Sequence, residues 1–298
     1  MWTSTDPDVV VCTAADSGYF DLLRDLVRSL RQRAQAQPHV LAVLDLGLTP
    51  DQQDWLRQQN ARLVEPGWDV DFPTRSEQPG HFRSQIVRAF LPRHCPGFQT
   101  YIWLDADTWV QDGAVLHWLV QGAADGRMAL VEEMHSAYKK IHDQRELSQK
   151  ALLIQRYYGA ADAERYGLTP SLNSGVFALR GDAPHWAVWG QEISALLQQA
   201  PTRFVDQMAL ERTVHAHRLP ACYLPARANW LVSQAIPAFC PQRGMLVDPL
   251  PPHDPLWILH LALGAKDLTL IIPMLGEPNR ELILSARLSE IGPLVGLG

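Results

Sequence analysis

Lysine is scarce in this chain, and positive charge as a whole falls short of negative charge. The 298 residues contain 26 Lys+Arg against 32 Asp+Glu, for a formal net charge of −6. This balance disfavours a protein that binds nucleic acid or anionic lipid through bulk charge, so any phosphate ligand must find its cations locally. Only four of the cations are lysines, and Lys266 lies far from the other three, Lys139, Lys140 and Lys150. Because it is isolated, Lys266 is the first side chain for which a function is sought.

Signals for secretion, membrane insertion and disulfide bonding are also missing. Residues 1–17 have neither a basic start nor an apolar core, and no run of about 18 apolar residues occurs in the chain. The four cysteines lie far apart without a C-x-x-C pair, and no asparagine begins an N-x-S/T sequon. We therefore expect a cytoplasmic protein with reduced thiols, no transmembrane segment and no metal held by cysteine.

Glycine-rich phosphate loops are absent as well. Neither G-x-G-x-x-G nor G-x-x-x-x-G-K-[ST] occurs, which argues against dinucleotide-binding and P-loop enzymes. The first hundred residues instead alternate short apolar runs with amphipathic segments, which is typical of an α/β fold with a Rossmann-like, mostly parallel sheet flanked by helices. Predicted strands cover 9–12, 40–46, 62–64 and 101–104, and predicted helices cover 20–30, 82–91 and a segment beginning at Pro50.

A pair of carboxylates follows the predicted strand 101–104. The chain contains three D-x-D pairs, but only Asp105 and Asp107 come directly after a buried strand, where open α/β sheets bind their ligands. Two like charges placed so close together repel, and a divalent cation between them removes the cost. The alternative is that one carboxylate caps the next helix and the other is solvated.

A histidine near the C-terminus offers a third ligand for such a cation. His260 ends an apolar run, and Lys266 follows six residues later. An imidazole beside two carboxylates suits Mn²⁺ better than Mg²⁺, and the isolated lysine suits a phosphate carried by that metal. The alternative for His260 is an ordinary buried histidine of the core.

Six short motifs occur along the chain in a characteristic order. They are Ala14-Ala15-Asp16-x-x-Tyr19, Leu104-Asp105-Ala106-Asp107, Asn173-Ser174-Gly175-Val176, Asp206-Gln207, Asn229-Trp230, and His260 with Lys266. Together, over about residues 8–267, they resemble the family-8 glycosyltransferases. The resemblance implies a single GT-A domain over 1–298. It also implies metal-dependent, retaining transfer of a hexose from a nucleotide sugar, typically a UDP-sugar, to a hydroxyl of a carbohydrate or other acceptor.

The same resemblance assigns roles to individual residues. The implied nucleotide and donor contacts are Ala14, Asp16, Tyr19, Asp105, Ala106, Asp107, Asn173, Gly175 and Lys266. Asp16 would hydrogen-bond the base or ribose and Tyr19 would stack on the uridine. The implied ligands of Mn²⁺, or of Mg²⁺ in its place, are Asp105, Asp107 and His260.

Two of the implied positions stay open between neighbouring residues. A sugar-binding acid is implied at Glu132, with Glu133 as an equal alternative. A basic residue before the D-x-D strand is implied at either Arg83 or Arg88.

The reaction centre is implied at Asp206 and Gln207. Asp206 would contact the donor sugar, and Gln207 would lie beside its anomeric carbon. Retention by double displacement needs a carboxylate nucleophile, and the amide of Gln207 is a poor one. We therefore expect substitution on one face of the sugar through an ion pair, with Asp206 as the nucleophile if a covalent intermediate forms.

Two other functions compete with this interpretation. One is a non-catalytic protein that binds nucleotide sugars, because a fold does not prove turnover. The other is a haloacid-dehalogenase-type phosphatase, in which Asp105 would be phosphorylated. That family places its D-x-D after the first strand, and here the motif follows a later one.

The resemblance, together with the polar composition of the insertion, implies four parts of the chain. Residues 8–132 form the predicted nucleotide-binding half, 133–170 a helical insertion, 171–267 the donor-sugar and acceptor half, and 268–298 a helical tail. We expect acceptor walls from 134–170 and from the proline-rich loop 236–255, a candidate lid. The helical spacing of apolar residues in the tail predicts a helix that packs on the core or on a second copy in a homodimer.

Overall fold

A seven-stranded sheet forms the centre of the computed structural model, which describes residues 8–34, 39–199, 204–277 and 280–285. Its strands are β1 (Val9–Ala15), β2 (Val40–Asp45), β3 (Ala61–Val64), β4 (Thr100–Leu104), β6 (Met128–Glu132), β7 (Leu172–Arg180) and β8 (Ala221–Leu224). Their order is β3-β2-β1-β4-β7-β6-β8, and every pair is parallel except those that β7 makes with β4 and β6. The predicted α/β fold with a mostly parallel sheet is confirmed.

The other strands of the described residues form three smaller sheets. A three-stranded sheet has the order β5-β12-β9, from β5 (Thr108–Val110), β9 (Trp230–Leu231) and β12 (Ile258–His260). Two hairpins pair β10 (Ala238–Cys240) with β11 (Met245–Val247), and β13 (Thr269–Pro273) with β14 (Glu281–Ser285).

Helices cover both faces of the central sheet. They are α1 (Phe20–Arg33), α2 (Pro50–Gln58), α3 (Arg83–Val87), α4 (Leu91–His94), α5 (Ala114–Gly122), α6 (Gln144–Tyr158), α7 (Ala160–Tyr166), α8 (His185–Gln199) and α9 (Val205–Glu211). Alternate residues of β1 point into two buried clusters, Val10 and Cys12 into one and Val9 and Val11 into the other. The sheet is therefore buried on both faces, which explains why its inner strands are continuous apolar runs.

Local signals account for the first helices. Thr49 and Gln52 form a capping box at the start of α2, with Pro50 at its first position, as the sequence predicts. The helix predicted over 82–91 is instead broken into α3, a 3₁₀ turn and α4. Pro92 lacks an amide hydrogen and cannot continue the hydrogen bonding of a preceding helix, so a new turn begins there.

The prediction of a helical tail is wrong for the described part of residues 268–298. Residues 269–273 and 281–285 form the β13-β14 hairpin, with Leu270 and Ile272 buried and Ile271 exposed. That alternation has the period of a strand, and the turn between the strands contains Gly276 at φ 77°. Residues 286–298 lie outside the described residues.

The proline-rich segment 236–255 is also more ordered than predicted. It contains the β10-β11 hairpin. The role of this segment as a lid and acceptor wall stays a prediction. Within the described ranges, every helix is too short or too polar to cross a lipid bilayer.

Candidate active site

A cavity of about 620 Å³ opens at the edge of the sheet where β1 and β4 end and β7 begins. The antiparallel direction of β7 creates this arrangement, since it pairs Leu104 at the end of β4 with Val176 in the middle of β7, and the first residues of β7 continue beyond the end of β4. The Asp105 amide donates to the carbonyl of Gly175 over 2.8 Å. Two motifs that are distant in sequence therefore share one wall of the cavity.

Asp105, Asp107 and His260 converge on this wall. Each contributes one ligand atom, and the three atoms lie within 4.8 Å of one another. His260 Nε2 is 3.3 Å from Asp107 Oδ1 and 3.8 Å from Asp105 Oδ2. The pairing of β12 with β5, which sets His260 opposite Thr108, brings the histidine to the D-x-D motif.

The donor set fits a divalent metal. His260 Nδ1 lies 2.9 Å from Asn229 Oδ1, an acceptor, so Nδ1 carries a hydrogen and Nε2 is the ring nitrogen that faces the carboxylates. A Cβ on Gly175 would lie 2.5 Å from His260 Cε1 and 2.6 Å from Asp105 Oδ2, so only glycine leaves the space that these ligands occupy. Two carboxylates with one imidazole form a set that suits Mn²⁺.

The two carboxylates have different electrostatic surroundings. Burial raises the pKa of Asp105, and the neighbouring Asp107 adds to the rise, although Arg88 opposes it. Burial would also raise the pKa of Asp107, but His260 and Lys266 outweigh it and hold the pKa at about 2. Asp107 is thus a carboxylate at any physiological pH.

Arg88, one of the two candidate basic residues, lies inside the cavity. Its guanidinium is buried, 3.1 Å from Asp105 Oδ1 and 2.9 Å from Asp206 Oδ2, and lies over the ring of Trp103. Arg83 instead donates to the carbonyl oxygens of Leu46, Pro66 and Gly80 and does not line the cavity. The structure thereby separates two residues that the sequence left equal.

The fold has counterparts among solved structures. The chain aligns over 97% of its length with 97% of the galactosyltransferase LgtC in complex with donor and acceptor sugar analogs, at 16% identity and a TM-score of 0.57. It aligns over 88% of its length with 47% of the bifunctional glycosyltransferase WbbM, at 13% identity and a TM-score of 0.57. An active-site mutant of LgtC gives a TM-score of 0.54 at 15% identity over 97% of both chains.

The chain has a GT-A glycosyltransferase fold. No protein-family model and no curated protein matches the sequence. At these identities the structural likeness describes the fold, and the roles of individual residues rest on the site itself.

In this glycosyltransferase fold, Lys266 lies beside Asp107, in the part of the cavity that is lined by the end of β1 and the turn after it. Its Nζ is 3.4 Å from Asp107 Oδ2 and 4.8 Å from the centre of the Tyr19 ring. Asp16 caps the turn that contains Tyr19 by accepting from the Tyr19 amide over 3.1 Å. Ala14 and Ala106 line the same region. The residues expected at the nucleotide are therefore together at one end of the cavity.

A second polar group occupies the opposite side of Asp105. Asp206 Oδ2 accepts from Ser174 Oγ over 2.6 Å and from Arg88. Glu133 Oε1 accepts from Asn173 Nδ2 over 2.8 Å and from Gln207 Nε2 over 3.2 Å. The residues expected at the donor sugar thus form a network of two hydrogen-bonded groups, joined through the backbone because Asn173 adjoins Ser174 and Asp206 adjoins Gln207.

Glu133, rather than Glu132, reaches this network. Glu133 lines the cavity, and Lys140 forms an ion pair with its Oε2. Glu132 does not line the cavity. Burial raises the pKa of its carboxyl group, although His215 and Lys150 nearby oppose the rise. Consecutive residues at a strand end point in opposite directions, so only one of the two can face the cavity.

The sequence reasoning missed three further residues of the cavity. Ser174, inside a motif, binds Asp206, and Lys140 anchors Glu133 from the insertion. Phe204 lines the cavity 43% exposed at φ 67°, an unusual conformation for a bulky residue, and its amide donates to Gln85 Oε1. The position of Phe204 two residues before Asp206 was the available signal.

Proposed function

We propose that this chain is a metal-dependent, retaining glycosyltransferase of the family-8 type. It would transfer a hexose from a nucleotide sugar, a UDP-sugar in the first instance, to a hydroxyl of a carbohydrate or other acceptor. The observation that carries the proposal is the group formed by Asp105, Asp107 and His260. This group lies in one cavity with a nucleotide-side cluster (Ala14, Asp16, Tyr19 and Lys266) and a sugar-side cluster (Glu133, Asn173, Asp206 and Gln207), and a diphosphate joins the two halves of such a donor.

The metal group and Lys266 would act on the leaving diphosphate. Bound Mn²⁺, or Mg²⁺ in its place, would supply Lewis-acid stabilisation of the leaving oxygen. Lys266 Nζ, next to Asp107, would add a second positive charge on the same side. Asp107 stays ionised because its pKa is about 2, so the carboxylate is ready to bind a cation.

The turn after β1 would hold the nucleoside. Tyr19 is 37% exposed beside the cavity, which leaves its ring available for stacking on a base. Asp16 would accept from the base or ribose, and the small side chain of Ala14 leaves room for them.

The sugar-side cluster would bind the hexose. Asn173, Gly175 and Asp206 line this part of the cavity together with Glu133. Glu133 holds the amide nitrogen of Gln207. That contact would orient the amide oxygen of Gln207 toward the anomeric carbon.

Substitution on one face of the sugar, through an ion pair, fits these contacts better than double displacement. Asp206 Oδ2 accepts from both Arg88 and Ser174, and the Asp206 carboxylate is almost fully buried. Hydrogen bonds of this kind hold its electron pairs and weaken it as a nucleophile. Mass spectrometry of the trapped reaction tests this, because a covalent glycosyl-enzyme on Asp206 would overturn it.

Apolar residues that line the cavity would meet the acceptor. Leu153 and Ile154 of α6 are among them, as is Phe204. Helices α6 and α7 belong to the insertion 133–170, so this segment is the proposed acceptor wall.

A panel of UDP-hexoses tests the proposal directly. Release of UDP is measured with Mn²⁺, with Mg²⁺ and with EDTA, for the wild type and for Asp105→Asn. We expect metal-dependent release from at least one UDP-hexose and its loss in the variant. Release that is indifferent to EDTA would refute the metal-dependent mechanism.

The non-catalytic alternative differs in one outcome. A nucleotide-sugar-binding protein would bind a UDP-hexose with Mn²⁺ but release no UDP, with or without acceptors. The phosphatase alternative has less support, because Asp105 Oδ1 is engaged by Arg88 and by Trp103 Nε1. The cytoplasmic location and the homodimer stay predictions.

A further inference from the structure

Two buried asparagine side chains connect the metal group to the sugar-side cluster. Asn229 Nδ2 donates to Asn173 Oδ1 over 2.8 Å, and Asn229 Oδ1 faces His260 Nδ1 at 2.9 Å. Asn229 is 1% exposed and Asn173 is 7% exposed. Buried amides that are fully hydrogen-bonded are held in one orientation, because each lost bond would leave a polar atom without a partner.

One backbone amide determines which atom donates in each of these hydrogen bonds. The N–H of Gly175 donates to Asn173 Oδ1 over 2.9 Å, so the oxygen of the Asn173 amide must point there. The same oxygen can accept only a donor from Asn229, which therefore presents its NH₂ group to Asn173. The remaining oxygen of Asn229 faces His260, so His260 Nδ1 must carry a hydrogen.

We propose that Asn229 is a positioning residue that fixes the tautomer and the ring orientation of His260 for metal binding. With the hydrogen on Nδ1, the neutral ring would present the lone pair of Nε2 to a metal held by Asp105 and Asp107, whose oxygens lie 3.8 and 3.3 Å from Nε2. This inference rests on the proposed metal dependence. In addition, the side-chain amide of Asn229 orients the histidine ligand through Nδ1. The backbone of β7 in turn sets the direction of that amide through Asn173.

The location of Asn229 suits this role. It ends the turn Ala226–Ala228 and directly precedes β9, which pairs with the strand that carries His260. Its backbone amide donates to the carbonyl of Ala226, so its main chain is held independently of its side chain. A change confined to the Asn229 side chain should therefore leave the local backbone in place.

At its other end, this series of hydrogen bonds reaches the sugar-side cluster. Asn173 Nδ2 donates to Glu133 Oε1, which also accepts from Gln207. The amide pair therefore ties the orientation of the histidine to the carboxylate that orients Gln207. Substitutions at Asn229 can separate the two connections, because its oxygen serves the histidine and its nitrogen serves Asn173.

Two substitutions at Asn229 test the proposal. Asn229→Leu has nearly the same size but accepts no hydrogen bond, so we expect the affinity for Mn²⁺ alone to fall about 10- to 100-fold. Asn229→Asp keeps an acceptor at His260 Nδ1 and adds negative charge but loses the donor to Asn173, so we expect its Mn²⁺ affinity to exceed that of Asn229→Leu. Isothermal titration with Mn²⁺, without any sugar nucleotide, gives both values.

A spectroscopic measurement tests the tautomer without metal. In ¹⁵N-histidine-labelled protein at alkaline pH, where the ring is neutral, the shifts of the two ring nitrogens report which one carries the hydrogen. We expect His260, assigned with His260→Gln, to be hydrogenated on Nδ1 in the wild type and in Asn229→Asp. In Asn229→Leu the hydrogen should be found on Nε2 in a large share of the molecules.

The outcomes distinguish this inference from the proposed function. If the wild type binds no Mn²⁺, the metal dependence fails, and the tautomer measurement still tests the role of Asn229. If the leucine variant keeps both wild-type affinity and the Nδ1 hydrogen, the inference alone is wrong. Equal losses in the leucine and aspartate variants would reduce Asn229 to a packing role.

A destabilised control guards against misfolding. Gly190→Ala would place a Cβ 2.8 Å from the ring of Phe90, away from the metal group. If this variant loses stability but keeps its Mn²⁺ affinity, a loss of affinity in Asn229→Leu cannot come from general destabilisation.

Discussion

Gly175→Ala is the sharpest single test of the site. The new Cβ would lie 2.5 Å from His260 Cε1, 2.6 Å from Asp105 Oδ2 and 2.9 Å from Asn173 Oδ1. Ordinary contact begins at 3.4 Å, so the imidazole would have to retreat by about 0.9 Å. None of the three groups is a free end, because His260 is held by Asn229 and the Asn173 oxygen is held by the Gly175 amide.

The expected losses follow from that displacement. A misplacement of about 1 Å at a reacting centre costs about 10²-fold in rate, which corresponds to about 2.7 kcal/mol. Overpacking a well-filled interior costs about 1–3 kcal/mol of stability. We therefore expect Gly175→Ala to fold, to bind Mn²⁺ more weakly, and to release UDP from a UDP-hexose about 10²-fold more slowly.

The assay combines initial rates of UDP release, Mn²⁺ titration and urea unfolding. Gly67→Ala is the matched control, because Gly67 is exposed and its added Cβ would meet nothing within 4 Å. Gly190→Ala controls for overpacking elsewhere. Rates and Mn²⁺ affinity of Gly175→Ala within threefold of the wild type would refute the claim that this glycine makes room for the metal ligands.

Four further predictions concern charge, metal and pH. Arg88→Met should lower the free energy of unfolding by about 3–5 kcal/mol in urea titrations, because it leaves Asp105 and Asp206 buried without their cation. An unchanged midpoint would contradict this. Lys266→Ala should slow UDP release at saturating donor by about 10²-fold, and a rate within threefold would remove Lys266 from the reaction. EDTA should abolish UDP release, and Mn²⁺ should restore it at lower concentration than Mg²⁺; the reverse order would argue against His260 as a ligand. Burial lowers the pKa of His185, so below about pH 6.5 the unfolded chain binds a proton that the folded chain does not. The free energy of unfolding therefore decreases as the pH is lowered. The free energy of unfolding should depend less on pH between 7.5 and about 5.5 in His185→Gln than in the wild type; equal slopes would assign the effect to other groups.

Much of the site could be predicted because its residues follow strand ends. Asp105 and Asp107 come directly after a buried apolar run, and parallel strands deliver such residues to one edge of a sheet. The sequence offered His260 as a third ligand because the isolated Lys266 follows it, but left an ordinary core histidine open, and the family resemblance favoured the ligand. The structure brings all three together.

The choice between neighbouring residues needed three-dimensional information. Arg83 and Arg88 both lie in the segment that precedes β4. The break before Pro92 turns this segment into short helical pieces, so no single helical period relates the two side chains. Arg88 reaches Ser174, 86 positions away in sequence, and no local pattern encodes such a contact.

The tail illustrates the opposite failure, in which a local pattern misleads. The apolar residues after 281 match a helical period over a short window, although Leu270 and Ile272 already alternate as in a strand. A short apolar run is ambiguous between helix and strand, and pairing decides which forms. Here β13 and β14 satisfy each other's backbone groups across five residue pairs.

Local pairing of charges explains how an acidic chain with four lysines presents a site for a diphosphate. Arg88 lies between Asp105 and Asp206, and Lys266 lies against Asp107, so each of these three carboxylates has a cation within 3.4 Å. Net charge acts through solvent and is screened over about 10 Å, whereas these contacts are close and shielded from water. A single lysine beside a group of metal ligands can therefore serve a diphosphate that the overall charge of −6 would repel. The same reasoning makes Lys266 hard to replace, because the two other lysines that line the cavity, Lys140 and Lys150, are already paired with Glu133 and Glu211.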